Sequence, residues 1–299
     1  MANKLFQIKT HEALVEELHG ENRLRRVLGP VQLSSLGVGA IIGTGIFVLT
    51  GVAAHDLTGP ALMLSFVVSG MTCFFAALCY AEFASMVPVA GSAYTYAYAT
   101  LGELFAWIMG WDLILEYAVA SATVAHGWSH YFQDFLRFFH IGLPQHFTNA
   151  PFDYDLTSGR LSLTGTWFDL PAIAIALIVT AVLVKGIRES ASVNTAIVIV
   201  KLAIVFFVIG VGAFYVHPAN WHPFAPFGLS GLSFFGHTLI GRTGPGGQPM
   251  GMLAGAAIVF FAYIGFDSIS THAEEARNPS RDVPIGIMTS LVLLSLIHI

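Results

Sequence analysis

The chain has 299 residues, of which 55% are apolar and only 10% charged, and its formal net charge is −5. A mean hydropathy of +0.71 excludes an ordinary soluble domain and indicates a polytopic membrane protein. The net charge says little about partners, because in a membrane chain the placement of charge matters more than its sum.

Residues 1–30 are polar, and 11–28 carry an amphipathic pattern (Leu14, Val15, Leu18, Leu24, Val27, Leu28) that stops at Gly29-Pro30. This predicts a cytoplasmic helix lying at the membrane surface. Without an apolar stretch in that region, no cleavable signal peptide is expected. Residues 31–299 read as one transmembrane domain. Span 1 covers about 32–54 and is followed by a short turn at 56–60. Span 2 runs over about 61–84 and holds both cysteines, Cys73 and Cys79, which read as packing residues. Val87-Pro88-Val89-Ala90-Gly91 breaks the chain, and a long span 3 follows to about residue 125. An extramembrane segment over 126–168 leads to span 4 (about 169–186) and span 5 (about 191–215). A Gly/Pro-rich loop over 217–248 precedes span 6 (about 250–271), and span 7 begins near 283. The sequence ends in Leu294-Ser295-Leu296-Ile297-His298-Ile299, still hydrophobic, so span 7 reads as cut off.

Lysine and arginine placement gives the expected orientation. With the N-terminus inside, the inner segments hold nine (Lys4, Lys9, Arg23, Arg25, Arg26, Lys185, Arg188, Arg277, Arg281) and the outer ones three (Arg137, Arg160, Arg242). The expected location is a cell membrane, crossed several times, with a cytoplasmic N-terminus.

Span 1 is interrupted at its middle. Gly39-Ala40-Ile41-Ile42-Gly43-Thr44-Gly45-Ile46-Phe47 holds three glycines within seven residues, which weakens a helix. In hydrocarbon an unpaired backbone group costs several kcal/mol, so broken helices survive where they line a cavity or a ligand. A small-residue surface for close helix packing fits the same residues. Span 6 carries a second interruption, Phe261-Ala262-Tyr263-Ile264-Gly265-Phe266-Asp267. Spans 1 and 6 would open two five-helix repeats, and breaks at matching positions mark an inverted-repeat transporter. Freed amides at Gly43, Thr44 and Gly45 suit a carboxylate. Ile41, Phe261, Ala262 and Ile264 would supply carbonyls or walls near an amine and its side chain. Amides on one side and carbonyls on the other fit an α-amino acid.

Lys201 lies eleven residues past Ser190, near the middle of span 5. A charged lysine there costs about 3 kcal/mol or more, and its stem cannot easily snorkel to an interface from that depth. A proton-binding role fits: protonated, it would donate to freed carbonyls of span 1 where sodium could otherwise bind. Glu116, four residues after Asp112, is a candidate for proton coupling or gating, or a buried hydrogen-bonded carboxylate. Asp267 would face a cationic side chain, or cap the second half of span 6. Glu82, Glu274 and Glu275 read as ion-pair partners of Arg277 or Arg281. His126 and His130 have metal-ligand spacing without an evident third ligand and read as interface residues, so no metal site is assigned.

Several pieces resemble the cationic amino acid transporter branch of the amino acid–polyamine–organocation superfamily. They are Gly37-Val38-Gly39-Ala40-Ile41-Ile42-Gly43-Thr44-Gly45-Ile46-Phe47, Tyr80-Ala81-Glu82-Phe83-Ala84, Pro88-Val89-Ala90-Gly91-Ser92-Ala93-Tyr94-Thr95-Tyr96, Gly110-Trp111-Asp112-Leu113, Gly186-Ile187-Arg188-Glu189-Ser190, and Tyr263-Ile264-Gly265-Phe266-Asp267 continuing to Ala273-Glu274-Glu275-Ala276-Arg277-Asn278-Pro279. The resemblance implies an all-α polytopic protein. It would be the first half of a 5+5 inverted-repeat transporter fold, spans 1–6 plus part of span 7, with spans 1 and 6 broken. It also implies alternating access, an amino acid held at the two breaks, and Lys201 in place of sodium as the proton-coupling group.

The expectation is therefore a proton-coupled permease for cationic and/or small neutral L-amino acids, not an enzyme, with no cofactor and no sodium. An inactive fragment of such a permease fits the same residues. Its partners would be the amino acid and the lipid bilayer, with no nucleic acid; a small membrane-protein partner of unknown identity is left open. The competing reading is a non-transporting seven-helix membrane receptor or scaffold. A membrane-embedded enzyme would need a nucleophile, a metal set or paired carboxylates at one depth, and the sequence offers none.

Overall fold

The computed structural model describes residues 6–10, 24–43, 45–155, 160–185, 187–234, 237–244 and 247–298. Most of the expected amphipathic segment (11–23), and Thr44, lie outside them. The chain forms two compact units. The first is drawn from Met1–Asp112, Ala191–Thr243 and Gln248–Ile299, the second from Leu113–Ser190 and Gly244–Gly247.

In the first unit, α1 spans Pro30–Ile41. Proline at the first helical position suits the fixed φ and the missing amide of that ring. The Gly29 amide donates to Gln32 Oε1 at 3.1 Å. The helix stops where Ile42 turns extended (φ −71°, ψ 94°). Helical winding resumes as a π-helix over Gly45–Leu49, a single α turn α2 at Thr50–Ala53, and a second π turn over Ala54–Thr58. Gly59, at φ +63°, makes the turn expected at 56–60, and α3 runs over Leu62–Met86. Cys73 on α3 is buried, Cys79 is exposed, and both are free thiols.

Span 3 differs from its expected form. It is two helices, α4 Ser92–Thr100 and α5 Glu103–Phe138. Gly102 separates them at φ +98°, with the backbone of Phe6 within 3 Å of where a Cβ would sit. The Lys9 amide donates to Tyr98 O and the Glu103 amide to Gln7 O, each at 3.2 Å. The N-terminal segment thus lies against the junction. Hydropathy alone showed one continuous run because an apolar pattern does not report a single residue's φ.

The remaining helices of this unit are α7 (Ile187–Gly212, whose first residues belong to the second unit), α8 (Met252–Val259) and α9 (Pro279–His298). Between α7 and α8 the loop carries short antiparallel pairs, β3 (Leu232–Phe234) with β4 (His237–Ile240) and β5 (Arg242–Thr243) with β6 (Pro249–Met250). After α8 the backbone tightens to a 3₁₀ turn, Phe260–Tyr263, and a second 3₁₀ stretch covers Asp267–Glu275.

The core is the packing of α9 on α3 and α1, and of α3 on α8. Leu33, Val38, Ile41, Phe66, Val259, Tyr263, Ile287, Leu291 and Leu294 are all buried there. Lipid gives helices no hydrophobic reason to associate, so close packing and interhelical hydrogen bonds carry that role. Ser65 Oγ donates to Met252 O at 2.7 Å, Ser69 Oγ to Ala256 O at 2.5 Å, and Tyr263 Oη to Phe66 O at 3.0 Å. Serines four apart on α3 meet carbonyls four apart on α8, so each rung is one helical turn from the next.

The second unit holds the C-terminal part of α5, a hairpin of β1 (Phe152–Asp155) and β2 (Arg160–Leu163), and α6 (Leu170–Lys185). Helix α5 continues well past residue 125 into the segment expected to be extramembrane. Among the described residues, five helical runs are long and apolar enough to cross a membrane: Thr50–Met86 (which turns at Gly59), Glu103–Phe138, Val193–Tyr215, Met252–Glu275 and Pro279–His298; α1 and α6 are shorter apolar helices. The protein is a multi-pass membrane protein.

Gly265 sits at φ +113°, and a Cβ there would lie 3.1 Å from the Ala40 carbonyl carbon. Gly265→Ala combines a backbone strain of about 1–3 kcal/mol with that crowding. It is expected to lower the temperature at which the purified protein loses monodispersity in detergent. Gly210→Ala, in open space, is expected to leave that temperature unchanged.

Candidate functional site

The two interruptions meet. Gly45, the first residue after the span 1 break, is buried, and a Cβ on it would lie 2.5 Å from Ala262 Cα. Across the break in span 6, Gly265 lies against Ala40 at the end of α1. At each contact a glycine beside the break of one span lies against the other span, with backbone approaching backbone as only glycine permits. The sequence left Gly43-Thr44-Gly45 open between ligand site and packing surface. Gly45 does pack, and the helix does break.

The expected binding residues line up along this crossing. Ile41 is buried at the end of α1, and Gly43 is half-buried in the non-helical stretch that follows. Ala262 is buried, while Phe261 and Ile264 are half-buried. Ile264 is extended (φ −56°, ψ 135°), and its amide donates to Phe261 O at 3.3 Å. Thr44 lies outside the described residues.

Lys201 reaches this point from α7. Its Nζ donates to Ile42 O at 2.8 Å and to Gly39 O at 3.2 Å. Gly39 lies in the last turn of α1 and Ile42 is its C-cap, where carbonyls lack i+4 partners. The ammonium group supplies what the interrupted helix withholds. Residues on the same face of α7 fix the register. Asn194 Nδ2 donates to Ser35 O at 3.3 Å and Ser35 Oγ to Thr195 Oγ1 at 3.4 Å. Val198 and Val205 are buried along the same face. Asn194 carries no charge to mark it in the sequence, yet it stands seven residues before Lys201, two helical turns away on one face.

Asp267 opens the second 3₁₀ stretch of span 6 and is only 6% exposed. Its Oδ2 accepts from Ser92 Oγ at 3.4 Å, and its backbone carbonyl accepts from Ser270 Oγ at 2.5 Å. Ser92 begins α4, so this carboxylate ties span 6 to the loop after α3. Glu274 extends the same tie, accepting from the Ala90 amide at 3.3 Å. Glu275 pairs with His272 at 3.0 Å. These partners differ from Arg277 and Arg281, which the sequence suggests: a loop remote in sequence reaches Glu274, and Glu275 finds a histidine one turn back on its own stretch. The segment ahead of α1 joins in. The Val27 and Leu28 amides both donate to Glu275 O at 2.9 Å, and the Arg277 amide donates to Leu28 O at 2.8 Å. Glu116 belongs to the second unit, where it is half-buried.

Two interrupted spans meet at glycines here, with a lysine donating to carbonyls beside the first interruption. Comparison with known proteins gives the family. A family model described as amino acid permease matches residues 28–299. The chain belongs to the amino acid permease family. It is 48% identical over its whole length to the branched-chain amino acid permease BcaP of Bacillus subtilis, covering 58% of that protein. It is 42% identical over 99% of its length to the methylthioribose transporter of the same organism, again covering 58%. To human cationic amino acid transporter 4 it is 36% identical over 98% of its length, covering 42%. The chain thus spans about half the length of these relatives. They are permeases and transporters, not enzymes.

Removing the Lys201 ammonium leaves two carbonyls of the α1 terminus without that donor, at about 1–3 kcal/mol for each buried acceptor. Lys201→Met is expected to raise hydrogen–deuterium exchange in peptides covering 39–47 while leaving those of α9 protected. Unchanged exchange at 39–47 would show that the lysine does not hold the break.

Proposed function

We propose that this chain provides the first part of a proton-coupled amino acid permease that works by alternating access. The observation that carries this reading is the Lys201 ammonium seated on Gly39 O and Ile42 O at the crossing of two interrupted spans. The substrate carboxylate would take the freed amides of Gly43, Thr44 and Gly45 at the start of the second half of span 1. The amine and side chain would lie toward Ile41, Phe261, Ala262 and Ile264. Those walls are apolar, and Asp267 is buried on Ser92, which favours neutral over cationic side chains.

Lys201 would be the coupling group, and the proton the coupling ion. Protonated, it donates to both carbonyls and holds the end of α1. Deprotonated, it loses one donor and its charge, and the two carbonyls are released. No sodium is needed where an ammonium already occupies the freed carbonyls. Glu116 would serve as a further proton-linked group. Access would alternate through contacts that already bracket the site: the Leu28–Ala276 pairing and the Asp267–Ser92 bond must part for passage on that side. That side would face the cytoplasm of a cell whose plasma membrane holds the protein, as the lysine and arginine bias suggests.

The test is uptake of labelled leucine, alanine and arginine into proteoliposomes under an inward proton gradient. It compares this chain with a chimaera carrying the C-terminal portion of the Bacillus subtilis BcaP after Ile299. Proton-stimulated uptake of leucine and alanine above arginine is expected in the chimaera, and Lys201→Met should abolish the stimulation. Uptake by neither protein would refute the transport reading. Uptake with an unchanged proton dependence in Lys201→Met would refute the coupling role alone.

A further inference from the structure

A separate polar cluster lies wholly in the second unit. On α5, His126 and His130 stand one helical turn apart, and their Nε2 atoms are 3.1 Å from each other. The other nitrogen of His126, Nδ1, is 2.8 Å from Asp169 Oδ2. That carboxylate is itself held, its Oδ1 accepting from Ser129 Oγ at 2.5 Å and from the Ala172 amide at 3.1 Å. Ser129 accepts in turn from Gln133 Nε2 at 3.0 Å. Asp169 is buried and caps the start of α6, whereas His130 is exposed.

This arrangement fixes a tautomer. An ionised carboxylate can only accept, so His126 Nδ1 carries the proton and Nε2 presents a lone pair. A carboxylate behind one ring nitrogen, with the other nitrogen presenting its lone pair, is how metal-bound histidines are commonly held. Without a metal, His130 Nε2–H donates into that lone pair. When His130 carries its proton on Nδ1, both Nε2 atoms offer lone pairs 3.1 Å apart. With metal–nitrogen bonds of about 2.0–2.1 Å, two nitrogens on one ion lie about 2.9 Å apart at a right angle and about 3.3 Å apart at a tetrahedral angle. The observed 3.1 Å falls between these values.

We infer that His126 and His130 form a two-histidine site for a divalent transition metal, with Asp169 orienting His126. Among the described residues no group of three His, Cys, Asp or Glu side chains converges, so water completes the coordination shell. Imidazole ligands select Cu²⁺, Zn²⁺ or Ni²⁺ over Ca²⁺ and Mg²⁺. Drawing electron density from His126 strengthens its bond to Asp169, so the ion tightens the link between α5 and the start of α6.

The test is calorimetric titration of Zn²⁺ and Cu²⁺ into the tag-free, chelator-stripped chain in detergent, with Ca²⁺ as the control ion. One site is expected for the transition metals and none for Ca²⁺. His130→Ala, at an exposed position, should abolish that site while the protein stays monodisperse. Asp169→Asn keeps an N-cap residue but turns a donor toward His126 Nδ1, moving the ring proton to Nε2. It should weaken binding about 10–100-fold. Electron paramagnetic resonance of the Cu²⁺-loaded chain should show two nitrogen ligands. No binding by the parent, or equal binding by His130→Ala, would overturn the site. Equal binding by Asp169→Asn would overturn the orienting role.

Discussion

A backbone carbonyl or amide left without a partner in hydrocarbon costs several kcal/mol, and this protein interrupts two of its spans well inside their length. The rest of the first unit is arranged around that expense. Where α1 stops, a lysine from α7 takes two of the stranded carbonyls. Where span 6 loosens, it keeps 3₁₀ winding on both sides of Ile264 and Gly265, so most of its backbone bonds stay local. Serine hydroxyls shore up the second stretch: Ser268 Oγ donates to Gly265 O at 2.6 Å, and Ser270 Oγ to Asp267 O. The interruptions are supported defects, and support of this kind fixes them in one conformation.

Around this crossing the architecture divides its labour. The α3–α8–α9 packing is a conventional membrane core, built from small residues, interhelical serine bonds and a buried tyrosine. The second half of span 6 is held differently. It is tied through Ser92 and Ala90 to the loop after α3 and through Val27 and Leu28 to the strand-like entry of α1. These ties are few and mostly single hydrogen bonds, each with a net worth of about 0.5–1.5 kcal/mol. A core of interdigitated side chains resists movement, whereas a seam of isolated hydrogen bonds can part and re-form. That distinction between a fixed frame and a separable seam is what the alternating access proposed above would use.

Much of this was legible in the residues. Gly43, Thr44 and Gly45 marked one break and Gly265 the other, because helices in lipid cannot afford glycine clusters without a reason. Lys201 stood out by the cost of its charge. The direction of its hydrogen bonds followed once α1 was known to end with free acceptors. Other features were not legible. The partition of span 3 at Gly102 depends on Phe6, nearly a hundred residues away. The engagement of Asp267 by Ser92 depends on a loop folding beneath span 6. Asp169 reads in sequence as a helix cap and nothing more, yet its second oxygen orients a histidine from another helix.

The sequence by itself determined the membrane class, the approximate position of the apolar segments, the two interruptions and the identity of the costly lysine. Each of these is a local property, set by hydropathy, backbone freedom or the desolvation of a single charge, and such terms can be read in a window of twenty residues. Tertiary structure alone decided which groups meet: Gly45 on Ala262, Lys201 on Ile42 and Gly39, Ser92 on Asp267, and His126 between His130 and Asp169. Hydrogen bonds and close contacts act over about 3 Å, and the chain's path brings residues to that range from separations of up to 249 positions, as between Leu28 and Arg277. No local pattern encodes a distance of that kind, because it belongs to the packing of whole helices.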